Sequence, residues 1–407
     1  DDAGMNCKRV RMGSRLEKVV NVGDLRKMAK QRLPKIAFDF IDGGVESEHC
    51  MACNEEAFRS YRILPRYLLD VARRNTAVNI LGREYAMPFG ISPTGGAGLY
   101  RKNADILIGK AAKAANVPFI LSCGSTNSVG RVAEHAGKNL WFQLYATKEQ
   151  RFADGFVESA RDAGIEVLVI TVDVPVTPRR ERNIRNGFKR PLRRTLPIIL
   201  DGLMHPGWLL EYMSAGGGMP MLENWSRFAG PNASADEVAD IYASQTPSAT
   251  QTWSQIETYR RHWSGKIVLK GIMSPADAVR AFEVGADGII VSNHGGRQLD
   301  MAPASLEMLP FVRAAVGDDK LVMMDSGVRR GSDILIALSL GADMVFAGRP
   351  TLFGAAAAGE DGARKALEIF KTELDVNMAQ AGLCDVSEAG PEVLLRHGRD
   401  GLSAVGG

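Results

Sequence analysis

AFEVGADGIIVSNHGGRQLD, residues 281–300, holds a helix end, a strand and a polar turn in one short span. Ala281-Phe282-Glu283-Val284 reads as the last turn of a helix stopped by Gly285, and Gly288-Ile289-Ile290-Val291 reads as a buried strand. The strand breaks into Ser292-Asn293-His294-Gly295-Gly296-Arg297, where paired glycines allow a sharp backbone turn. A histidine and an arginine are thereby set three residues apart at a strand's C-terminal end. Histidine, with an ordinary pKa of about 6.5, accepts protons at neutral pH. Arginine offers a rigid fork that matches a carboxylate. The pair suits a small anionic substrate that must lose a proton; a solvated surface turn is the competing interpretation.

The same helix–glycine–strand step recurs at Ala160 to Gly164 and at Ala337 to Asp343. Apolar runs of strand length alternate with Ala-rich helical stretches at 89–91, 118–121, 140–142, 167–170, 266–269, 288–291, 321–324 and 344–347. Eight such units in about 270 residues predict an α/β fold, the (β/α)8 or TIM barrel. Barrel chemistry sits at the C-terminal strand ends. Here those ends carry Ser92-Pro93-Thr94-Gly95, Ser122, Gln143 with Tyr145, Thr171 with Asp173, Lys270, His294 with Arg297, Asp325, and Gly348-Arg349. A purely structural barrel would need few polar groups there, which favours an active site at the His294 turn.

The chain's 407 residues fit one barrel with insertions, and 50 Lys+Arg against 47 Asp+Glu, net +3, gives no reason to expect nucleic acid as a partner. Five cysteines, Cys7, Cys50, Cys53, Cys123 and Cys384, are few and odd in number, as in a reducing compartment. Cys50 and Cys53 have CxxC spacing, but no second pair completes a zinc site, so no metal is expected. No run approaches the roughly 18 apolar residues of a membrane span. Residues 1–20 are basic and lack the apolar core of a secretory signal; they are expected to be disordered or partly tag-derived, Met5 and Met12 both being possible starts. Residues 21–60 read as helical, with Pro34 restarting a helix and Gly43-Gly44 stopping it. The barrel domain is expected to span 21–383, and 384–407 to form an extended tail.

Between the fourth and fifth strands, about residues 186–264 are too long for a simple crossover. A basic cluster, Lys189, Arg190, Arg193 and Arg194, precedes the apolar Leu196-Pro197-Ile198-Ile199-Leu200 and then Gly207-Trp208-Leu209-Leu210-Glu211-Tyr212-Met213. Basic and aromatic residues with short apolar runs are the pattern of a peripheral membrane anchor, here at about 188–213; an active-site lid or an oligomer contact are the alternatives. Ser214 to Met219 reads as a flexible joint and 244–254 as a loop, with a helix resuming at Trp253.

From about Val20 to Leu383 the chain resembles the FMN-dependent L-2-hydroxy acid oxidases and dehydrogenases. SNHGGRQLD (292–300), WFQLY (141–145), TVD (171–173), VLKG (268–271), DSGVRRG (325–331) and GADMVFAGR (341–349) carry the resemblance, in the family's order. The resemblance implies FMN as cofactor, His294 as the base that takes the 2-hydroxyl proton while hydride passes to flavin N5, and Asp173 as its orienting partner. It implies Arg180 and Arg297 as carboxylate clamps and Tyr145 as a hydrogen-bond partner of the substrate oxygen. Pro93, Thr94 and Gly95 would lie along the flavin face, with Ser122, Gln143, Thr171 and Ser292 at its polar edge and Lys270 beside the N1/C2 carbonyl. Asp325 would meet the ribityl chain, and Gly327, Arg329, Gly348 and Arg349 the phosphate. Residue by residue, a snorkelling side chain is the alternative for Lys270, and capping of the following turn for Asp325.

Two departures bear on the substrate. Phe40 stands where the family usually has a substrate-binding tyrosine, and Gly95 stands where several oxidases of the family have alanine. With the insertion, these point towards the membrane-associated mandelate dehydrogenase group and an aromatic 2-hydroxy acid such as (S)-mandelate; L-lactate is the second choice. The implied acceptor is a membrane quinone or another carrier, an oxidase that reduces oxygen to peroxide being the alternative. The resemblance also implies a homotetramer, cytoplasmic and peripheral on the inner face of the cell membrane. A silent flavin-stabilised scaffold, or an FMN-dependent isomerase, would not need the His294–Arg297 pair.

Overall fold

A computed structural model describes residues 16–188, 195–398 and 401–405. All eight expected strands form: β1 (Phe89–Ile91), β2 (Phe119–Ser122), β3 (Leu140–Tyr145), β4 (Val167–Thr171), β5 (Lys266–Ile272), β6 (Gly288–Val291), β7 (Val322–Met324) and β8 (Met344–Ala347). They pair in parallel in chain order, and β8 closes on β1. The outer helices are α1 (Ala104–Ala115), α2 (Val129–Ala136), α3 (Gln150–Asp162), α4 (Trp253–His262), α5 (Pro275–Glu283), α6 (Ser305–Val316), α7 (Gly331–Ser339) and α8 (Arg349–Ala381).

Both faces of these strands are buried, which is why each reads as a nearly unbroken apolar run. Ile120, Trp141, Val169, Val268, Ile290, Met323 and Phe346 fill the barrel interior, while alternating residues such as Leu121, Phe142, Leu168, Leu269 and Ile289 pack outward under the helices. A hairpin, Val78–Ile80 with Arg83–Tyr85, adds Ile80 and Tyr85 to the interior layer. The Trp141 indole N–H donates to the Tyr85 hydroxyl at 3.1 Å, which pairs the two large polar rings at this end of the core. The opposite mouth, at the strand C-termini, stays open and polar.

Register aligns the functional positions across that mouth. Ser122 pairs with Gln143, Tyr145 with Thr171, and Thr171 with Lys270. Three helices, Val22–Arg32, Lys35–Asp42 and His49–Arg59, precede the barrel, and Pro34 stands at the N-cap position of the second. The segment read as an extended tail instead turns back: Leu394–Gly398 pairs antiparallel with Tyr61–Ile63 and with Gly401–Ala404. The glycines of the repeated helix ends, Gly164, Gly285 and Gly341, all have positive φ, the conformation that stops each helix before its strand.

The long insertion is helical. After a short helix at Glu181–Arg185 come Leu196–Met204 and Pro206–Ser214, a helical hairpin, and then Glu223–Ser226 and Ala235–Gln245. The last overlaps the expected loop at 244–254, and α4 starts at Trp253. The basic cluster at 189–194 lies outside the described residues.

Candidate active site

The turn after β6 folds through three successive left-handed residues, His294 (φ 59°), Gly295 (66°) and Gly296 (71°). A histidine pays for that conformation, so the turn needs bracing from outside. Asn293 and Asn54 exchange amide hydrogen bonds at 2.7 and 2.9 Å, and the Val45 N–H donates to the Gly296 carbonyl at 3.0 Å. Asp300, at the end of the motif, accepts from the backbone N–H groups of Ser47 (3.0 Å) and Cys50 (3.2 Å). The N-terminal helices therefore serve the site directly. Cys50 belongs to this brace: it is a buried free thiol whose pKa burial pushes up to about 11. Among the described residues no cluster could hold a metal.

His294 Nδ1 lies 3.0 Å from Asp173 Oδ1, with both side chains largely shielded. A carboxylate only accepts, so Nδ1 carries the proton and the Nε2 lone pair is left to the cavity. Burial lowers the His294 pKa; Asp173 works against that, and Lys270 and Arg180 push in the same direction as burial. The imidazole is thus neutral at neutral pH. Gly271, which the strand-end list omitted, makes room for the pair: it has φ 104°, and a Cβ there would sit 2.6 Å from Asp173 Cβ. Its sequence signals are its place directly after Lys270 and its position closing the VLKG motif, 268–271.

The Tyr145 ring stacks 6.4 Å from the His294 ring, and burial raises its pKa, so the phenol keeps its proton. Arg297 donates to the Gly43 carbonyl at 2.6 Å, while the buried Nε of Arg180 has no hydrogen-bond partner among the described residues. Burial pushes both arginines down, Arg297 well below its ordinary value, with Arg180 adding repulsion. Both guanidinium groups lie over the face of Phe40, at 5.8 Å (Arg180) and 5.3 Å (Arg297). Phe40 in turn stacks on Phe188, from the insertion, at 4.5 Å, and on Tyr100 at 6.5 Å. Phe188 and Tyr100 escaped the sequence reading because neither stands at a strand end.

Lys270 is buried and bonds Ser292 Oγ at 2.7 Å and Asp325 at 3.0 Å. It does not snorkel. Asp325 also accepts from Ser92 (2.8 Å) and Ser326 (3.0 Å). Burial alone would raise its pKa, but Lys270, Ser292 and Ser92 hold it below the usual carboxylate range. It caps no helix, since the N-cap position of α7 is Arg330.

Gln143 is fully buried, and among the described residues neither of its amide atoms, nor Thr171 Oγ1, nor Asp173 Oδ2 finds a partner. Each unsatisfied buried group costs about 1–3 kcal/mol, a cost a ligand with a matching polar edge removes. Adjoining these residues is a cavity of about 620 Å³, lined by Pro93, Thr94, Gly95, Ser122, Lys270, His294, Arg297, Asp325, Gly327, Arg329, Gly348 and Arg349 among others. A Cβ on Gly95 would meet only ordinary contacts, so the glycine is not required by the protein's own packing. At the far end, Arg329 pairs with Glu55 at 2.9 Å, and Arg349 donates to the carbonyls of Ile41, Gly43 and Gly295, each at 3.0 Å. Arg349 thus also ties the Phe40 helix to the His294 turn, and burial lowers its pKa to about 10.

A neutral, largely shielded base, two arginines suited to an anion, and unpaired amide and hydroxyl groups on the strands that carry the cavity lining fit a cofactor-dependent barrel enzyme acting on small acids. Comparison with known proteins sharpens that class. The family described as FMN-dependent dehydrogenase matches residues 29–396. The chain is 39% identical to (S)-mandelate dehydrogenase of Pseudomonas putida over 94% of its length and 95% of that protein. It is 36% identical to an L-lactate dehydrogenase of Chromohalobacter salexigens, over 91% and 94% respectively. A crystal structure of the monotopic membrane protein (S)-mandelate dehydrogenase superposes with a TM-score of 0.89 at 39% identity, over 93% of this chain and 99% of that one. The chain belongs to the FMN-dependent 2-hydroxy acid dehydrogenase family: its cofactor is FMN, and its reaction is the oxidation of an L-2-hydroxy acid.

Proposed function

We propose that the substrate is an aromatic L-2-hydroxy acid, (S)-mandelate or a near relative, oxidised to the 2-keto acid with electrons passed to a membrane quinone or other acceptor. The aromatic wall carries this reading. Phe40 presents a ring where a tyrosine would present a hydroxyl, and its stack with Phe188 and Tyr100 gives an apolar surface suited to a substrate ring. L-Lactate is the second reading, motivated by the 36% identical relative.

In the proposed arrangement the substrate carboxylate lies between Arg180 and Arg297, whose burial with no carboxylate partner among the described residues favours binding an anion. His294 takes the 2-hydroxyl proton at Nε2, and Asp173 stabilises the imidazolium that results. Tyr145 donates to the 2-oxygen. FMN, when bound, supplies the two-electron acceptor, and the residues fit it: Gln143 and Thr171 offer unpaired groups to its polar edge, with Ser122 and Ser292 beside them. Pro93, Thr94 and Gly95 would flank its face, Asp325 would meet the ribityl chain, and Gly327, Arg329, Gly348 and Arg349 the phosphate. Lys270 provides the fixed cation that a flavin gaining negative charge needs.

The insertion supports peripheral membrane association; the cytoplasmic face is part of the same reading and comes from the family resemblance alone. Leu196, Ile199, Leu200, Leu203 and Met204 form one exposed helical stripe, and Leu210 and Met213 are exposed on the second helix of the hairpin. Among the described residues no helix is long and apolar enough to cross a membrane. Homotetramer assembly, from the family resemblance, belongs to the same reading and is checked by light scattering.

The test is anaerobic mixing of the FMN-loaded protein with (S)-mandelate, L-lactate and glycolate, following flavin absorbance, then admitting air. Bleaching fastest with mandelate and reversed slowly by air is expected; His294→Ala should bind FMN yet fail to bleach. Bleaching only by lactate or glycolate refutes the substrate, and rapid reoxidation with peroxide refutes the acceptor.

A further inference from the structure

The hairpin with the exposed apolar stripe is fastened to the active-site wall on its other side. The helix Lys35–Asp42, which carries Phe40, begins at Pro34, whose side chain supplies no cap. Its first N–H, on Lys35, donates instead to Asp201 of the hairpin at 2.6 Å. An orphan helix donor is thereby satisfied from another element.

A second fastening lies at residues 99–102, where Leu99 and Tyr100 line the cavity. The buried Trp208 of the hairpin donates its indole N–H to the Leu99 carbonyl at 2.7 Å. Glu211, one turn on, accepts the Lys102 N–H at 2.5 Å, pairs with Arg32, and lies 3.3 Å from Arg101. Arg32 donates to the Tyr100 carbonyl at 2.8 Å, and Arg101 to the carbonyls of Ala355, Ala356 and Ala357, just before the kink in α8. Burial pushes both arginines down, Arg32 to about 10, and Glu211 is the carboxylate that both face. Removing it leaves two desolvated cations side by side, and nothing from the hairpin then holds the Lys102 N–H.

We propose that Glu211 and Asp201 are positioning residues: they set Tyr100 and Phe40, the stacked rings of the substrate wall, and so set the affinity for the 2-hydroxy acid from outside the cavity. This inference rests on the proposed binding mode. The hairpin then does two things with its two faces. The outer face meets the membrane, and the inner face holds the wall that meets the substrate.

The test uses full-length FMN-loaded protein with a soluble dye as acceptor, so that acceptor docking does not enter. Glu211→Ala, Glu211→Gln and Asp201→Asn are compared for kcat, KM, FMN content and sedimentation with anionic liposomes. Glu211→Ala should raise KM for the preferred acid by about fivefold with kcat within about twofold, because wall contacts bind the ground and transition states alike. Asp201→Asn should give a smaller rise, and FMN content and liposome sedimentation should not change. Glu211→Gln keeps an acceptor for Lys102 but not the charge, so its KM should fall between wild type and Glu211→Ala. If Glu211→Ala fails to fold, Glu211→Gln decides alone, and a wild-type KM there overturns the proposal. Wild-type KM in every variant overturns it too. If the unmutated enzyme oxidises none of the acids, the functional reading itself fails and the wall's role falls with it.

Discussion

Replacing Asp173 by Asn tests the acid–base pair with little change in shape. The carboxylate at 3.0 Å from His294 Nδ1 makes a hydrogen bond that becomes charge-assisted once the imidazole is protonated. Such bonds are worth about 1.5–3 kcal/mol. In the proposed mechanism Asp173 stabilises the imidazolium, so its removal withdraws that energy from a transition state in which His294 gains a proton. At about 1.36 kcal/mol per decade, kcat/KM should fall by about 10- to 150-fold. The pH profile has a defined sign. Burial already lowers the His294 pKa and Asp173 partly restores it, so Asp173→Asn lowers it further. Activity lost on the acid side, where His294 is protonated, should then be lost at lower pH than in wild type. The assay is anaerobic stopped-flow flavin reduction across pH, with FMN occupancy checked by absorbance. A drop under threefold, or an acid limb displaced to higher pH, refutes the assignment of His294 as base with Asp173 as its partner.

Three further outcomes follow from the same geometry. Phe40→Tyr places a hydroxyl beside Arg180 and Arg297 and should shift the ratio of kcat/KM for lactate over mandelate upward by about tenfold, the value of one good hydrogen bond; an unchanged ratio removes Phe40 from specificity. Gly271→Ala forces a side chain onto φ 104° and into Asp173, so it should lower stability by about 1–3 kcal/mol in a denaturant melt and displace Asp173, with activity falling more than FMN binding. Replacing Leu200, Leu203 and Leu210, all exposed, with serine should abolish sedimentation with liposomes while leaving flavin reduction by substrate near wild type; retained sedimentation would place the membrane contact elsewhere.

Much of the molecule can be read from the chain because a parallel barrel imposes strong local patterns. A strand buried on both faces must be an apolar run, and a helix that turns straight into one ends on glycine; those two rules locate all eight strands. Strand ends face the open mouth, so the polar residues next to each run, from Ser122 to Arg349, can be picked out before any contact is known. Local pattern does not reach residues whose role depends on a distant partner. Asn54 reads as an ordinary helix residue until it meets Asn293, 239 positions away. The CxxC spacing of Cys50 suggests chemistry, yet its buried thiol belongs to the brace under the His294 turn. The tail looks unstructured because its strand-forming partner, Tyr61–Ile63, lies at the other end of the chain.

Sequence alone therefore determined the barrel, the family with its cofactor, and which side chains stand at the strand ends, since each follows from short-range periodicity or contiguous motif. Tertiary structure alone decided that Phe40 lies under two guanidinium groups and against Phe188, that Gly271 makes room for Asp173, and that the hairpin's Asp201 and Glu211 reach Lys35 and Lys102, next to the elements that carry Phe40 and Tyr100. The physical reason is distance along the chain. These contacts join residues far apart in sequence, and only the closed barrel brings them within a few ångströms.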